Sequence, residues 1–469
     1  MKAIKYIIST LVASSLLFSA CTTVEPIDPD QPNWDTPVAS IGENNKVIYE
    51  VNVRNFSKSG DFNGLRAELG RLNKMGVDVL WLMPIHPIGV EKRSGTMGSP
   101  YSVKDFKAIN PDYGTNDDFK NLIKDAHDMQ MEIWIDWVAN HTAWDNSWIT
   151  EHPEYYAKKG GKPYAPVIND IEWSDVAQLK MTALATQDAM IDAMKYWVSE
   201  FNIDGFRCDY ASSPMIPATF WSKARTEIDA IKEVKWMCEA DCETYYDDLL
   251  ESFDYDYAWG FNDRLSDFAT NGDLESLRQN CSDLFNNDRY SNGKSRMVYL
   301  TNHDLNADKG SEFSRFGTKL KALTVLYFTI YDMPLLYNGQ EVGDDQQMGL
   351  FTKESVIWNN STPEIETLIK KLSRLKRTTP ALSGGSERGS LYIYPTDDME
   401  NIFAFQRKKG DSEVLVLLNF SSKSVSAQFA GNQPIGDFKN YLDGGTVNFA
   451  NDPRFTLPAN GYAVYLKKN

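Results

Sequence analysis

Apolar positions follow two different spacings along the chain from about residue 46 onward. Short, almost wholly apolar runs predict buried strands, whereas apolar residues repeated every three or four positions predict amphipathic helices. In the segment 64–76, for example, Leu65, Leu69 and Leu72 fall on one helical face. The strand-like runs are KVIYEVNV (46–53), VDVLWLMPI (77–85), MEIWIDWVAN (131–140), IDGFRCDYA (203–211), EVKWMCEAD (233–241), FDYDYAWGF (253–261), SRMVYLTNHD (295–304) and MPLLYNGQE (333–341).

Most of these eight strand candidates are separated by helical segments, which is the pattern of a parallel sheet. Eight such units that close on themselves form a (β/α)8 TIM barrel, so we predict this α/β fold for residues 44–384. The segment 142–180 is rich in Trp, Tyr, Pro and Gly and is too long for a simple connection after the third strand. We interpret it as a small insert over the barrel mouth.

The pattern changes after about residue 385, where short strand-like runs are separated by turns and no helical spacing is found. These runs are LYIYPTD (391–397), IFAFQRK (402–408), EVLVLLNF (413–420), SVSAQFA (424–430) and YAVYLKK (462–468). Short strands joined by turns predict a separate antiparallel β-sandwich domain at the C-terminus, over residues 385–469.

The first 43 residues have the composition of a leader followed by a tether. A basic start, MKAIKY, precedes the apolar run IISTLVASSLLF and then SAC. The run is too short to span a membrane, and residues 1–20 resemble a bacterial lipoprotein signal peptide with Cys21 as the lipid-bearing residue. Ordinary signal cleavage nearby is the alternative. Residues 21–43 are acidic and proline-rich, which is typical of an extended tether.

Export and lipidation together predict a protein anchored in the outer membrane of a Gram-negative bacterium, on its cell-surface or its periplasmic face. The formal net charge is −17 and no basic run is present, which argues against nucleic acid as a partner. Aromatic residues make up 12% of the chain, which fits either a large core or a surface that stacks on sugar rings. The five cysteines have no metal-site spacing, so we expect free or structural thiols.

Charged residues fall at the carboxyl ends of several predicted strands, where the active sites of such barrels are formed. They are Asp136, Arg207, Asp209, Glu239 and Asp304. Arg207 and Asp209 are two residues apart, so on a strand their side chains point to one face. Burying such a pair is costly unless the charges are matched and hydrogen-bonded. One structural ion pair explains any single member of this set but not all five.

Paired carboxylates indicate one kind of chemistry, since the sequence has no glycine-rich phosphate loop, no Ser-His-Asp order and no HExxH motif. Two carboxylates about 5 Å apart are the catalytic groups of retaining glycosidases. One of them attacks in its ionised form, and we expect Arg207 to keep Asp209 charged. The other donates a proton. Glu239 follows an apolar run and lies near other acids, which predicts a raised pKa for its carboxyl group.

Four segments in this order resemble the ordered motifs of glycoside hydrolase family 13, the α-amylase family. They are DWVANH (136–141), GFRCDYA (205–211), MCEAD (237–241) and LTNHD (300–304), and GSPYSVKDF (98–106) and PLLYNGQE (334–341) are similar to further family segments. The resemblance covers the barrel and the β domain. It implies that Asp209 is the nucleophile, that Glu239 is the general acid/base and that Asp304 stabilises the transition state.

The same resemblance implies roles for the neighbouring residues. Arg207 would hold Asp209 at the substrate, and Asp136 would support Arg207. His141 and His303 would hydrogen-bond the sugar in the cleavage subsite, and Tyr101 would stack on its ring. His86, at the end of the second strand, either lines the mouth or packs in the core.

Two departures from the family pattern concern calcium, which many α-amylases hold between barrel and insert. Asn140 matches one ligand, but Gln178 stands where an aspartate ligand is usual, and Ser212 and Ser213 replace a Lys-His pair. Calcium prefers several hard oxygens including carboxylates, so these replacements argue against the site. The chemistry itself is expected to need no cofactor.

The expected function is hydrolysis of α-1,4-glucosidic bonds in starch or maltooligosaccharides. One alternative is a family relative that acts on pullulan, cyclodextrins or α-1,6 bonds, or that transfers glycosyl groups, because the same acids serve all these reactions. A non-enzymatic alternative is a starch-binding lipoprotein built on an inactive barrel.

Overall fold

The computed structural model describes residues 33–34, 36–243, 245–246, 248–290, 293–358 and 363–468. Its central feature is a closed barrel in which each strand pairs in parallel with the next along the chain, and the last pairs with the first. The strands are β1 Ile48–Val51, β2 Val79–Leu82, β3 Glu132–Val138, β4 Gly205–Asp209, β5 Lys235–Cys238, β6 Tyr255–Tyr257, β7 Ser295–Val298 and β8 Met333–Tyr337. The TIM barrel prediction is confirmed.

Helices surround the barrel and connect its strands. They are α1 Val53–Phe56, α2 Phe62–Arg66, α3 Leu69–Met75, α4 Asn116–Asp128, α5 Trp148–Glu151, α6 Leu184–Phe201, α7 Ala218–Asp229, α8 Trp259–Asn271, α9 Leu274–Phe285, α10 His303–Lys309, α11 Glu312–Phe316, α12 Leu320–Ile330 and α13 Pro363–Thr378. Short 3-10 turns span Glu43–Asn45, Pro153–Tyr155, Leu249–Glu251, Asp288–Tyr290, Gly317–Lys319, Gln340–Val342, Pro380–Leu382 and Gly385–Glu387.

Alternation along the strands sends side chains to two different environments. Trp81, Trp134 and Met237 belong to a buried cluster that fills the lower part of the barrel. Gly205 makes room for this cluster, since a Cβ atom there would lie 2.6 Å from the Trp134 ring. Phe206 belongs instead to the large core cluster that includes the helices, as expected for a strand whose odd and even residues face opposite sides.

The insert lies between β3 and α6, as expected. Two of its strands, His141–Ala143 and Val176–Gln178, pair with each other antiparallel. Two small hairpins lie between them, Lys158–Lys159 with Lys162–Pro163 and Val167–Ile168 with Ile171–Glu172. The insert reaches the barrel mouth, because Ile168, Asn169 and Trp173 line a pocket there.

The C-terminal domain is antiparallel, as predicted. Its strands are β9 Ser390–Tyr394, β10 Ile402–Lys409, β11 Ser412–Asn419, β12 Val425–Gln428, β13 Asp437–Asn440, β14 Thr446–Asn448, β15 Arg454–Leu457 and β16 Tyr462–Lys467. Six of them form a sheet in the order β9-β10-β11-β16-β13-β14, and β12 pairs with β15. Side chains from both sheets, among them Leu415, Phe429 and Phe455, form a core of their own.

The other face of the six-stranded sheet packs against the barrel. Phe403, Val416 and Val464 belong to the same buried cluster as the barrel helices. The buried Arg407 of β10 donates to the carbonyls of Thr329 and Ile330, at the end of α12, and to that of Ser383. The two parts therefore share one continuous apolar core.

The predicted signal peptide and Cys21, the predicted site of lipidation, lie outside the described residues. Within the described part, Trp34 contacts Tyr441 of the β domain edge-to-face, with 5.6 Å between ring centroids. The Ile41 amide donates to the Arg377 carbonyl at 2.9 Å. Among the helices that the structure describes, none combines the length and the apolar character needed to cross a bilayer.

Candidate active site

A pocket of about 510 Å³ opens at the carboxyl ends of the barrel strands. Six of the residues singled out from the sequence line it, namely Tyr101, His141, Asp209, Glu239, His303 and Asp304. Asp136 and Arg207 are fully buried and lie beneath it. Arg207 therefore acts on groups in the pocket through the carboxylates that it contacts.

Arg207 joins three carboxylates under the pocket floor. Its Nη1 donates to both oxygens of Asp136, at 2.9 and 3.0 Å, and to Asp209 Oδ1 at 3.3 Å. Its Nη2 lies 2.9 Å from Glu239 Oε2, and its Nε donates to the Tyr257 hydroxyl. Asp136 meets it because the two residues are register partners on β3 and β4. One buried cation thus compensates the buried Asp136 and Asp209 and the partly exposed Glu239, as such charges require.

The electrostatics of Asp209 differ from the expectation. Burial raises the pKa of Asp209 well above its usual range, the nearby Glu239 raises it further, and Arg207 opposes both effects. Burial also raises the pKa of Glu239, again against Arg207. Arg207 lies nearer to Glu239 than to Asp209, so its charge does not favour Asp209 alone. Loss of hydration outweighs the guanidinium, and both carboxyl groups retain protons more readily than exposed acids do.

Tyr210 holds Glu239 through its backbone. Its amide donates to Glu239 Oε2 at 2.7 Å, and its φ of 42° lies in the left-handed region, where tyrosine is rarely found. Such strain is typical of functional sites, where the surrounding structure fixes an unfavourable conformation. The Tyr210 ring also lines the pocket, 6.3 Å from the ring of Trp173.

His303 connects the pocket to an acid that no sequence motif pointed to. Its Nδ1 makes a short hydrogen bond with Glu50 Oε1, and its Nε2 lies 2.8 Å from the Tyr101 hydroxyl and 3.3 Å from Asp304 Oδ1. Although burial opposes it, the charges of Asp304 and Glu50 raise the pKa of His303 to about 9. The one available signal for Glu50 was its position as the single acid inside the apolar run KVIYEVNV.

His141 and Tyr101 form part of the pocket wall. Burial lowers the pKa of His141 to about 4, and its ring meets Trp173 edge-to-face at 5.6 Å. Tyr101 was expected to stack on a sugar. One face of its ring is covered by His303, at 5.3 Å and 21°, and its hydroxyl donates to Asp136.

His86 packs in the core and does not line the pocket. It lies among Phe106, Trp137 and Trp197, with ring centroids 5.2 to 6.0 Å away. Its Nδ1 lies 3.3 Å from the carbonyl oxygen of Ala108, and burial lowers its pKa to about 4. Of the two interpretations of His86, the structure supports packing.

Several aromatic side chains line the pocket without having been singled out from the sequence. They are Trp173, Tyr210, Trp259 and Phe351. Each comes from a loop or from the first residue of a helix, where no periodic pattern marks a residue as facing a ligand. Aromatic faces together with a few polar groups are the usual lining of a small-molecule site.

The residues at the expected calcium position do not fit a calcium ion. Gln178 Nε2 donates to the backbone oxygen of Asn140 at 2.8 Å, to its Oδ1 at 3.1 Å and to the Leu179 carbonyl at 3.2 Å. Ser213 Oγ donates to the same Oδ1 at 2.7 Å. These oxygens are satisfied by hydrogen-bond donors and no carboxylate joins them, whereas calcium sites use several charged oxygens.

The four cysteines that the structure describes do not form a metal site either. Cys208, Cys238, Cys242 and Cys281 are buried and free, in line with the expected thiols, and the sulfur atoms of Cys238 and Cys242 are 3.8 Å apart. Within the described ranges, no three His, Cys, Asp or Glu side chains are grouped as metal ligands would be.

Comparisons with known proteins agree with this geometry. The alpha-amylase catalytic-domain family model matches residues 40–420. The alpha-amylase MalA of Haloarcula japonica is 26% identical over 426 residues, which cover 85% of this chain and 57% of that protein. The chain thus spans little more than half the length of this relative. A cyclomaltodextrinase of Thermoanaerobacter pseudethanolicus and a cyclomaltodextrin glucanotransferase of Niallia circulans are 24% and 25% identical.

Solved structures give the same result. An alpha-amylase from Lactobacillus plantarum is 28% identical, with a TM-score of 0.78 over 91% of this chain and 99% of that one. A maltogenic alpha-amylase, AmyB from Thermotoga neapolitana, is 29% identical, with a TM-score of 0.77 over 90% and 96% of the two chains. With the family model matching most of its length and the motif residues meeting in one pocket, the chain belongs to the α-amylase family, glycoside hydrolase family 13.

Proposed function

We propose that this protein hydrolyses α-1,4-glucosidic bonds of starch or maltooligosaccharides with retention of configuration. One observation carries the proposal: a single guanidinium, that of Arg207, contacts both Asp209 and Glu239 under the pocket that Asp304 also lines. Both carboxyl groups are thereby held at one place. Retaining enzymes need two carboxyl groups about 5 Å apart, so that one can attack while the other protonates.

In the proposed reaction Asp209 attacks the anomeric carbon while Glu239 gives its proton to the leaving glycosidic oxygen. A covalent glycosyl-enzyme forms and the shortened glucan departs. Glu239, now ionised, takes a proton from water, whose oxygen displaces Asp209 and restores both groups. Burial raises the pKa of Glu239, which favours the protonated form that a general acid needs.

The remaining lining groups suit a neutral sugar chain. Asp304 and the charged ring of His303 lie together and can bind sugar hydroxyls. Trp173, Tyr210 and Trp259 offer aromatic faces on which glucose rings stack. A pocket of about 510 Å³ falls within the usual range for small-molecule sites.

A second candidate function is supported by the relatives. The Thermotoga neapolitana protein is maltogenic, and further relatives are a cyclomaltodextrinase and a cyclomaltodextrin glucanotransferase. The same carboxyl groups serve these reactions, because either water or a sugar hydroxyl can displace Asp209. Action on cyclodextrins, pullulan or α-1,6 bonds, or glycosyl transfer, is therefore the alternative. The complete set of acids argues against an inactive, starch-binding barrel.

The decisive experiment is Glu239→Gln, assayed on maltoheptaose, pullulan and cyclodextrin with the anomer of the first product read by NMR. We expect the α anomer from the wild type and a loss of about 10³-fold in kcat for the variant, because the proton donor is removed. Glu341→Gln is the matched control, since Glu341 is a buried acid outside the pocket lining. Unchanged activity of a folded Glu239→Gln protein, or a β anomer as first product, would overturn the proposal.

A further inference from the structure

Glu50 is a buried acid with no role in the reaction as described so far. It lies in the middle of β1, fully buried, with Trp81 and Tyr337 as its register partners on the two neighbouring strands. Within the described residues, its Oε1 bonds His303 and its Oε2 has no hydrogen-bond partner. A carboxyl group buried with one partner is costly. The one hydrogen bond of its carboxyl group, to His303, therefore indicates its role.

The hydrogen-bond pattern fixes where the protons of His303 lie. Asp136 accepts from Arg207, from Trp81 Nε1 at 3.2 Å and from the Tyr101 hydroxyl at 3.0 Å. A hydroxyl that donates its one hydrogen to Asp136 must accept from its other neighbour, which is His303 Nε2. Nε2 therefore carries a proton. On the opposite side of the ring, a second proton lies between Nδ1 and Glu50.

Charged groups surround His303 from several elements. Glu50 comes from β1, Asp304 from α10 itself and Asp136 from β3, where it is linked through Tyr101, and Glu239 directly follows β5. Arg207 on β4 is the one cation among them and opposes a positive charge on the ring. The aromatic contacts, Tyr101 and Trp81, are uncharged. The acids outweigh the arginine, and the pKa of His303 rises to about 9.

We propose that Glu50 is a positioning residue that keeps His303 doubly protonated, with its Nε2–H directed between Tyr101 and Asp304 at the pocket wall. The inference rests on the proposed function of the same site and deepens it. Glu50 does not touch substrate. It acts through His303, which lines the pocket next to Asp304.

The direct test is to titrate the histidines by NMR with ¹³C-labelled imidazole rings in the wild type and in Glu50→Gln. The chain has five histidines, and His303→Gln assigns the signal. Glutamine preserves the shape and can still accept one hydrogen bond from Nδ1, but it carries no charge. We expect the His303 titration to move down by at least about one pH unit. Glu341→Gln, the same substitution at another fully buried acid, should leave it unchanged.

Activity supplies a second measurement. The ratio of wild-type to Glu50→Gln kcat/KM on maltoheptaose should grow severalfold between pH 6 and pH 9, since the variant loses the ring proton at a lower pH than the wild type does. Glu50→Asp, which keeps the charge, should restore part of the difference and replaces Glu50→Gln if the latter fails to fold. A His303 titration that is unchanged in Glu50→Gln, or a loss of activity in that variant that is equal at every pH, overturns the proposal.

The two measurements separate the inference from the proposed function. If the wild type does not cleave α-glucans but the His303 titration falls in Glu50→Gln, the role of Glu50 stands and the substrate assignment fails. If the wild type cleaves α-glucans but the His303 titration does not move in Glu50→Gln, the substrate assignment stands and the role of Glu50 fails.

Discussion

Gln178 shows how one side chain decides whether a metal is needed. Its amide donates to three oxygens, two from Asn140 and one from Leu179, where barrel and insert meet. Oxygens brought together in a buried place repel one another unless a cation or a hydrogen-bond donor lies among them. The neutral amide supplies that donor within the protein itself.

Gln178→Glu tests this interpretation, because it keeps the shape and removes the donor. The variant should lose about 1 to 3 kcal/mol of unfolding free energy in the presence of a chelator. Added calcium should recover part of that loss, since the new carboxylate faces oxygens that can act as ligands. The wild-type midpoint of thermal unfolding should be the same with chelator or calcium.

A matched control is Gln187→Glu. Gln187 is also buried, and its Nε2 donates to one carbonyl, that of Met181, at 2.8 Å. This variant should lose stability without responding to calcium. A calcium response of equal size in both variants, or a wild type that a chelator destabilises, would contradict the role assigned to Gln178.

The strands and helices explain which parts of the site could be predicted from the sequence. Asp136, Arg207 and Asp209 stand on strands whose apolar runs are unmistakable, and parallel pairing brings such strand ends together. Glu50 stands on an equally clear strand. Its partner His303 lies 253 positions away, however, and local patterning carries no information about so distant a contact.

The pattern of apolar and polar residues did not predict which loop residues reach the pocket. Trp173 and Tyr210 reach the pocket from irregular segments, and the hydrogen bonds from Gln178 to Asn140 depend on how the insert folds back. The expectation for Asp209 is met only in direction, because Arg207 lowers the pKa of its carboxyl group but burial and Glu239 raise it by more. Whether burial or the nearby charge dominates depends on distances and on loss of hydration, which a sequence does not contain.

Helix α13 carries a titratable group in its buried face. Lys376 is fully buried and donates to the carbonyls of Tyr331 and Leu382, and burial lowers its pKa to about 7. The pKa of a lysine in an unfolded chain is about 10.4. Between pH 7 and that value, the unfolded chain carries a proton on Lys376 that the folded chain lacks. The stability contributed by Lys376 is therefore present at high pH and is lost as the pH falls toward 7.

Lys376→Met removes the titrating group and should flatten this dependence. The wild type minus variant difference in unfolding free energy, measured with denaturant, should rise from pH 6.5 to pH 9.5 by a few kcal/mol. Lys371→Met, which removes a half-buried lysine from the same helix, controls for the loss of one charge. An equal trend in both variants, or a difference that falls with pH, would refute the assignment to Lys376.

The molecule as a whole unites a barrel and a β domain through one apolar core. Phe403 and Val416 of the six-stranded sheet belong to the cluster that contains the barrel helices. Arg407 adds hydrogen bonds to carbonyls at the end of α12. Interfaces that are large and apolar favour unfolding as one unit, whereas small polar ones let domains separate.

Calorimetry should therefore record one cooperative transition for the whole chain. Arg407→Met keeps the apolar stem but leaves the Thr329, Ile330 and Ser383 carbonyls without this donor, at a cost of about 1 to 3 kcal/mol for a buried group. We expect the transition to fall in temperature and to broaden or split. Arg454→Met, at an exposed arginine of the same domain, should change neither. Two transitions in the wild type would contradict a shared core.

Acids outnumber cations at the pocket, and this excess of negative charge affects the stage of the reaction at which the protein attracts its substrate. With Glu239 protonated, Glu50, Asp136, Asp209 and Asp304 still outnumber Arg207 and His303, the cations at this end of the barrel among the contacts described above. A glucan is uncharged when it binds, so the excess of negative charge attracts it little. Once the glycosidic bond stretches, positive charge grows on the sugar, and the imbalance becomes an attraction. In the proposed reaction the electrostatic benefit therefore arrives at the moment of bond breaking and not at binding.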